Sequence, residues 1–221
     1  MRVIIIGCEY SGTTTLAYGV SDWAKRTIGD GFELVHDHWK IPHTINHPSD
    51  MTDEEQEQYM ALSTRVKEAA QRHNLYYHTP AKHGTDGIYV GYYFEDTIYA
   101  QLYYDYGGEG SPGDRRVHSE HIEERNIEFG PETVLVLVKA SPEVIRRRMM
   151  ESPHGRQVIQ DKDVELVLQR FEEAYQGSSI PQKIALDNGE MTPEETLAEF
   201  VKQVQPHLTE RDRARMAARI G

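Results

Sequence analysis

The stretch that decides the fold lies at the N-terminus and reads Arg2-Val3-Ile4-Ile5-Ile6-Gly7-Cys8-Glu9-Tyr10-Ser11-Gly12-Thr13-Thr14-Thr15-Leu16. Its apolar first part predicts a buried strand. The segment that follows has the form Gly-x-x-x-x-Gly-Thr-Thr, where a phosphate-binding loop ordinarily has Gly-x-x-x-x-Gly-Lys followed by Ser or Thr. Gly7 and Gly12 permit the torsions that let amide groups converge on an anion, and a following helix presents its positive end to that anion. Thr13 stands where the lysine is expected, so the loop is predicted to bind phosphate or sulfate without that charge.

Length and composition limit the classes of protein to consider. A chain of 221 residues and 25.4 kDa fits one α/β domain over residues 1–221. Its 24 Lys and Arg against 36 Asp and Glu give a formal net charge of −12, which argues against generic binding of nucleic acid or of an anionic membrane. The single cysteine, the lack of an apolar run of about 20 residues and the direct entry into a strand predict a cytoplasmic protein. The sequence leaves the oligomeric state open, a homodimer included.

Short apolar runs alternate with helical stretches along the chain, which is typical of a mostly parallel sheet with helices on both faces. Strands are predicted at residues 2–6, 33–37, 87–92, 133–139 and 183–186. Helices are predicted at residues 14–27, 50–73, 163–175 and 193–208, with another opened by Pro142-Glu143 and a charged helix or tail at 209–221.

Several segments together resemble the nucleoside and nucleotide kinases among the P-loop phosphotransferases, the branch that contains thymidylate kinase and the deoxynucleoside kinases. Gly12-Thr13-Thr14-Thr15-Leu16-Ala17 is similar to that group's Gly-Lys-Ser-Thr-Leu-Ala except at Thr13. The segment that runs from Val134 through Pro142-Glu143 to Arg148 resembles the strand, helix start and arginine that lead into the family's lid. Weaker similarities at residues 163–175 and 184–195 extend the resemblance over nearly the whole chain.

The resemblance implies a three-layer P-loop NTPase fold with a small helical lid at about residues 149–162. It also implies an ATP-dependent kinase that uses Mg²⁺ and phosphorylates a small molecule, namely a nucleoside, a nucleotide or a similar cyclic hydroxyl compound. Thr14 would hold the metal ion. The residues expected to bind the nucleotide are Gly7, Glu9, Tyr10, Ser11, Gly12, Thr13, Thr14 and Thr15.

Two cationic groups of that family are missing from this sequence. One is the loop lysine, replaced by Thr13, and the other is the arginine of an Asp-Arg pair that follows the third strand. Gly91-Tyr92-Tyr93 stands where that pair is expected. The positive charge that phosphoryl transfer requires must therefore come from elsewhere, or the protein does other chemistry.

Carboxylates at the ends of parallel strands are candidates for the catalytic acid or base, because ligands in open α/β folds bind at that edge of the sheet. Asp37, which closes the second predicted strand, fits best as a base toward an acceptor hydroxyl or as a holder of metal-bound water. Glu95 and Asp96 follow the third strand and form the alternative acid pair.

The missing charge is predicted to come from lid arginines. Arg146, Arg147 and Arg148 lie in the helix after the fourth strand, and Arg156 follows the segment Ser152-Pro153-His154-Gly155. A Gly/Pro-bounded segment between arginines suits a lid that excludes water and brings guanidinium charge to the phosphates. Arg148 is favoured by its match to the family pattern, and Arg156 as the residue of the lid itself.

Two clusters of unusual composition lie outside the loop. His36, His38, His43 and His47 have spacings that fit no compact zinc motif, which favours a surface or a substrate-binding loop. The segment from Tyr76 to Tyr106 holds nine of the 13 tyrosines, more than a core requires, although each ring alone suits core packing. As a group they predict contact with a cyclic, partly apolar acceptor.

Three functions remain open at this stage. The first is the kinase just described. The second is sulfotransfer, since Ser11-Gly12-Thr13-Thr14 closely resembles the loop of sulfotransferases, although Tyr10 replaces their basic residue. The third is nucleotide binding without transfer, which the two missing cations favour.

Overall fold

Five parallel strands form one sheet, and a computed structural model describes it within residues 1–29, 31–36, 52–111, 113–153 and 157–220. The strands are β1 (Arg2–Ile6), β2 (Glu33–His36), β3 (Gly87–Val90), β4 (Thr133–Lys139) and β5 (Gln182–Asp187), in the order β2-β3-β1-β4-β5. Strand β1 is central: Ile5 pairs with Val90 on one side and with Val136 on the other. The loop that follows β1 therefore leaves the sheet from its middle, at the carboxyl edge.

Helices cover both faces of the sheet. The described helices are α1 (Thr13–Thr27), α2 (Asp53–Ala61), α3 (Thr64–Tyr77), α4 (Tyr92–Tyr103), α5 (Arg115–Phe129), α6 (Pro142–Glu151), α7 (Val164–Gly177), α8 (Pro193–Val204) and α9 (Glu210–Ile220). Short 3₁₀ turns at Asp161–Asp163 and Gln205–His207 precede α7 and α9. None of the helices in the described ranges is long and apolar enough to span a bilayer.

The strand side chains alternate between two separate apolar cores. Ile4 and Ile6 of β1 pack with residues of α4, α5, α6 and α7, whereas Val3 and Ile5 pack with residues of α1 and α8. A strand that is buried on both faces is mostly apolar, which explains the run from Val3 to Ile6 in β1. The predicted three-layer α/β fold, with a mostly parallel sheet between helices, is confirmed.

Two predicted elements differ from the structure for local reasons. The single helix expected at residues 50–73 is two helices within the described part, because the backbone is extended at Leu62 and at Ser63, the residue that caps α3. The third strand stops at Val90 instead of continuing to Tyr92, because Gly91 and Tyr92 have positive φ values of 76° and 50° and turn the chain into α4. The sequence predicts a strand that is two residues too long, because aromatic residues are common both in strands and in the buried faces of helices.

Candidate functional site

The loop between β1 and α1 has the compact geometry that its two glycines predict. A Cβ atom on Gly7 would lie 2.6 Å from the Ser11 hydroxyl and 2.6 Å from the Val138 carbonyl, and Gly12 has a φ of 99° that other residues avoid. The Ser11 amide donates to the Cys8 carbonyl over 2.9 Å, which closes the turn. The first turn of α1 then begins at Thr13, with its amide groups at a helix N-terminus that favours anions.

A cleft of about 490 Å³ opens in front of this loop. Its walls come from the loop and α1, from the end of β3, from α6, and from the segment after β5. Of the eight residues predicted to bind nucleotide, seven line the cleft and Ser11 is buried behind them: the seven are Gly7, Glu9, Tyr10, Gly12, Thr13, Thr14 and Thr15. The structure thus brings the predicted set together at one place.

Two side chains from other elements line the cleft and hold the loop through its carbonyls. Arg148, at the C-terminal end of α6, donates from Nη1 to the carbonyls of Tyr10 (3.0 Å) and Ser11 (3.3 Å). Asn188, which follows β5, donates from Nδ2 to the same Ser11 carbonyl over 2.6 Å. Burial and the neighbouring charge of Arg147 lower the pKa of Arg148, yet an arginine stays charged at neutral pH.

The front of the loop contacts the segment 157–159, which returns from α6 toward α7. Glu9 accepts hydrogen bonds from the amides of Val158 and Ile159, both over 2.9 Å, through a single carboxylate oxygen. The Tyr10 hydroxyl donates to the Gln157 side chain over 2.8 Å. An acidic residue of the loop therefore fixes the segment that the sequence assigns to the lid.

The two candidate acids after β3 have different surroundings. Glu95 lines the cleft opposite Thr13 and Thr14. Asp96 is fully buried on the other side of α4 and forms an ion pair with the buried Arg115. Asp96 is therefore a structural residue and is excluded as the second member of a catalytic acid pair.

Arg115 is held by two carboxylates. It pairs with Asp96 and, over 2.7 Å, with Glu68 of α3. Burial alone lowers the pKa of Arg115, but the two carboxylates outweigh burial and raise it. Burial alone likewise raises the pKa of Glu68, but hydrogen bonds from Arg72 and Arg115 outweigh it and lower that pKa. This buried network joins α3, α4 and α5.

Several predicted residues lie outside the described ranges. Asp37 and Arg156 are among them, so their predicted roles at the catalytic centre stay predictions. Of the four clustered histidines, only the backbone of His36 is described. Within the described residues, no group of three or more His, Cys, Asp or Glu side chains is arranged to hold a metal ion. Burial raises the pKa of Cys8 far above its usual range, which makes its thiol unreactive.

Most of the clustered tyrosines pack into the core. Tyr92 donates its hydroxyl to the Leu75 carbonyl over 3.1 Å, and the Tyr99 hydroxyl accepts from the Glu9 amide over 3.0 Å. Both rings are fully buried. Tyr104 is half-buried, and its pKa is raised by burial and, to a smaller extent, by the carboxylate of Glu9. Of these rings, Tyr104 fits contact with an acceptor better than the two buried ones.

Sequence reasoning missed the contribution of Asn188. Asn188 is absent from the predicted site residues, although an Asn just beyond the carboxyl end of a strand, on the same edge of the sheet as the loop, is a usable signal. The contact between Glu9 and the segment 157–159 spans about 150 positions along the chain and leaves no local pattern.

Comparison with known proteins relates this fold to solved structures, two of which, given below, are kinases. The Bacillus subtilis YorR protein, solved in complex with phosphorylated GDP, matches with a TM-score of 0.59 at 15% identity, over 95% of this chain and 100% of that one. Thymidylate kinase from Candida albicans matches with a TM-score of 0.57 at 15% identity, over 96% and 93%. Deoxyadenosine kinase from M. mycoides with bound dATP matches with a TM-score of 0.54 at 13% identity, over 92% and 99%.

These similarities concern the fold. No family model matches the sequence, and no curated protein matches it. The chain has a P-loop kinase-like fold, as its sequence resemblance implies.

Proposed function

We propose that this protein is a Mg²⁺- and ATP-dependent kinase that phosphorylates a hydroxyl group of a nucleoside, a nucleotide or a similar cyclic small molecule. The observation that carries the proposal is the composition of the cleft. A glycine-framed loop, the N-terminus of α1 with three successive threonines, and the Glu95 carboxylate all face the same space. An anion-binding backbone beside hard oxygen ligands is the combination that a metal-bound nucleotide requires.

The loop would bind the phosphates of the nucleotide through its backbone. Gly7 leaves no room for a side chain, and Thr13, Thr14 and Thr15 carry hydroxyls that can donate to phosphate oxygens. A hydroxyl contact is neutral, so it is weaker than a lysine contact by about 1–2 kcal/mol. Binding therefore relies on the helix N-terminus more than in a lysine-containing loop.

The oxygen donors in the cleft suit Mg²⁺. The Thr14 hydroxyl would coordinate the ion, and the Glu95 carboxylate would hold it or one of its water ligands. When bound, Mg²⁺ supplies positive charge between the outer phosphates and lowers the barrier to transfer.

The remaining roles are a base for the acceptor and positive charge over the transferred group. Asp37 is the proposed base, with Glu95 as the alternative, because both follow strands that end at the edge where the loop lies. Arg148 and Arg156 are the proposed sources of charge. Tyr104 would form part of the acceptor wall.

The experiment is a measurement of Mg²⁺-dependent ADP release across a panel of nucleosides, nucleotides and other cyclic alcohols. We expect release with at least one acceptor, a loss of at least tenfold in Glu95→Gln, and no change in Glu120→Gln, an exposed residue of α5 remote from the cleft. A parallel binding assay with adenosine 3′,5′-bisphosphate tests sulfotransfer. Tight binding of that compound without ADP release from ATP would overturn the proposal.

A second candidate function is nucleotide binding without transfer. The specific observation in its favour is the absence of the two cations, since Thr13 lines the cleft and the Tyr92 hydroxyl is bound to the Leu75 carbonyl in the core. ATP binding without ADP release from any acceptor would establish this alternative.

A further inference from the structure

We infer that Arg148 and Asn188 act together as positioning residues for the phosphate-binding loop, and that through the loop carbonyls they provide the support that its missing lysine does not. This inference deepens the proposed function and rests on it, because it concerns how the same loop binds phosphate. Below, the two residues with their contacts to the loop are called the carbonyl clamp.

The clamp acts on two successive peptide groups. Arg148 donates to the carbonyls of Tyr10 and Ser11, and Asn188 donates to that of Ser11. In a trans peptide the carbonyl and the next amide point in opposite directions. The Ser11 carbonyl faces Arg148 and Asn188 and therefore fixes the direction of the Gly12 amide, which points away from these two donors.

The clamp is itself rigidly held. A second guanidinium nitrogen of Arg148 donates to the Asn188 carbonyl over 2.7 Å, and the Asn188 amide donates to the Lys139 carbonyl at the end of β4 over 2.8 Å. The Thr196 hydroxyl, on α8, donates to the Asn188 side-chain oxygen over 2.8 Å, which fixes the orientation of the amide. Contacts from α6, the end of β4, the segment after β5 and α8 thus hold the two donors to the Ser11 carbonyl in place.

Close packing explains why the second loop glycine is required on this side. A Cβ atom on Gly12 would collide with the Asn188 side-chain nitrogen. Ser11 is fully buried between the loop and the clamp. The glycine at position 12 therefore serves the approach of Asn188 as well as the φ of 99° at that position.

The clamp also contributes charge. A donor on a carbonyl polarises the peptide group and strengthens its amide as a donor, and the effect is larger when the first donor is charged. The guanidinium of Arg148 contacts the carbonyls of two adjacent loop peptides. Positive potential consequently reaches the anion through the backbone, whereas a lysine at position 13 would deliver it by direct contact.

The test measures binding of inorganic pyrophosphate and of ATP by calorimetry, without acceptor, in Arg148→Met, Asn188→Ala and the double variant. We expect each single change to weaken pyrophosphate binding about tenfold, the effect of losing one charge-assisted hydrogen bond or its orientation. Because both residues act on the Ser11 carbonyl, the double variant should lose much less than the product of the two factors. Thr196→Val should give a smaller loss, since it removes only the orienting hydroxyl.

The matched control is Arg147→Met, which removes the same charge from an exposed neighbour on the same helix. Its pyrophosphate affinity should stay within about twofold of wild type, as for a screened surface charge. Melting temperatures of all variants separate loss of folding from loss of binding.

Three results would overturn the inference. Arg148→Met could weaken binding while Asn188→Ala leaves it unchanged, which would show that Asn188 takes no part in positioning the loop. The two losses could multiply, which would show that the residues act independently. The melting temperatures could fall with unchanged affinity for pyrophosphate, which would make the pair merely structural. Wild-type protein that binds pyrophosphate through the clamp but releases no ADP with any acceptor would remove the proposed function and leave this inference intact.

Discussion

Thr13 is the residue at which this loop departs most from its family pattern. It lines the cleft at the start of α1 and presents a neutral hydroxyl where a cation is expected. The cationic Arg148 instead donates hydrogen bonds to the Tyr10 and Ser11 carbonyls of the loop. A positive charge added at this neutral position should therefore change the affinity for ATP more than it changes the turnover rate.

Thr13→Lys is expected to raise the affinity for ATP by about three- to tenfold, since an ammonium group near phosphate adds a charge-assisted contact. Turnover should stay level or fall, because the added charge stabilises the bound ground state as much as the transition state. Calorimetry and steady-state kinetics measure the two effects, and Thr13→Met is the uncharged control of similar length. A gain in turnover above tenfold would contradict the view that the charge is supplied elsewhere.

Successive side chains of a helix point about 100° apart around its axis, so adjacent residues can have opposite roles. Glu95 faces the cleft, whereas Asp96 is buried against Arg115. Arg115 and Arg116 differ in the same way, since the first is buried between two carboxylates and the second is exposed and pairs with Asp114.

Arg115→Met is expected to lower the free energy of unfolding by about 3–5 kcal/mol, because it leaves the carboxylates of Glu68 and Asp96 buried without their cation. Arg116→Met is the matched control and should lower the free energy of unfolding far less, because its pair with Asp114 is exposed to solvent. Urea denaturation measures both. Equal costs for the two variants would show that the buried network contributes no more than a surface pair.

The network also predicts a dependence on pH. The folded-state pKa of Glu68 lies below its unfolded value, so its contribution to stability is complete above the unfolded pKa and is lost as the pH falls through the folded pKa. Wild-type protein should therefore lose this stability as the pH falls below roughly 4, and Glu68→Gln should show a flatter decline. Melting temperatures from pH 7 downward measure the difference, with Glu120→Gln as control. Parallel curves for Glu68→Gln and wild type would refute this assignment.

At the scale of elements, the segment 157–159 belongs structurally to the loop. Glu9 and Tyr10 hold it through three hydrogen bonds, and Tyr103 adds contacts to the Gln160 amide and to Asp163. The carboxyl-terminal part of the predicted lid thus contacts the loop through these hydrogen bonds.

Glu9→Ala is expected to release this segment, because the amides of Val158 and Ile159 lose their acceptor. Hydrogen exchange at these two amides should accelerate by about tenfold or more, the effect of losing a charge-assisted hydrogen bond. Tyr10→Phe is the graded control, since it removes one hydroxyl and keeps the ring. Unchanged exchange in Glu9→Ala would show that other contacts hold the segment.

At the scale of the molecule, charge limits the partners. The net charge of −12 is distributed over a chain whose buried cations, Arg2 and Arg115, are enclosed by the core. A polyanion therefore meets net repulsion at low salt, where electrostatic attraction would otherwise be strongest.

A DNA duplex of about 20 base pairs is longer than one helical turn. It should show no binding to this protein in fluorescence anisotropy at micromolar protein and about 50 mM salt. Double-stranded RNA should behave alike. Binding that weakens steeply with added salt would contradict this prediction, because it would reveal a basic surface that the net charge conceals. ATP is the positive control, since a small anion needs only the loop.

Local sequence patterns determined the layers of the fold and the position of the loop. The apolar run of β1, the glycines at positions 7 and 12 and the Pro-Glu start of α6 each act through neighbouring residues, so each was readable without a structure. The turn at Gly91-Tyr92 was misread because strand and core preferences coincide for aromatic residues.

Only the tertiary structure shows which residues hold the phosphate-binding loop in place. The sequence predicts that Arg148 delivers charge to the phosphates, and this stays a prediction; its hydrogen bonds in the structure are to the loop carbonyls and to the Asn188 carbonyl. Asn188, Glu9 and the segment 157–159 meet because the parallel strands end at one edge, which brings distant residues within hydrogen-bonding distance. Sequence periodicity reports which face of an element is buried, whereas hydrogen bonds between elements depend on how the whole sheet is assembled.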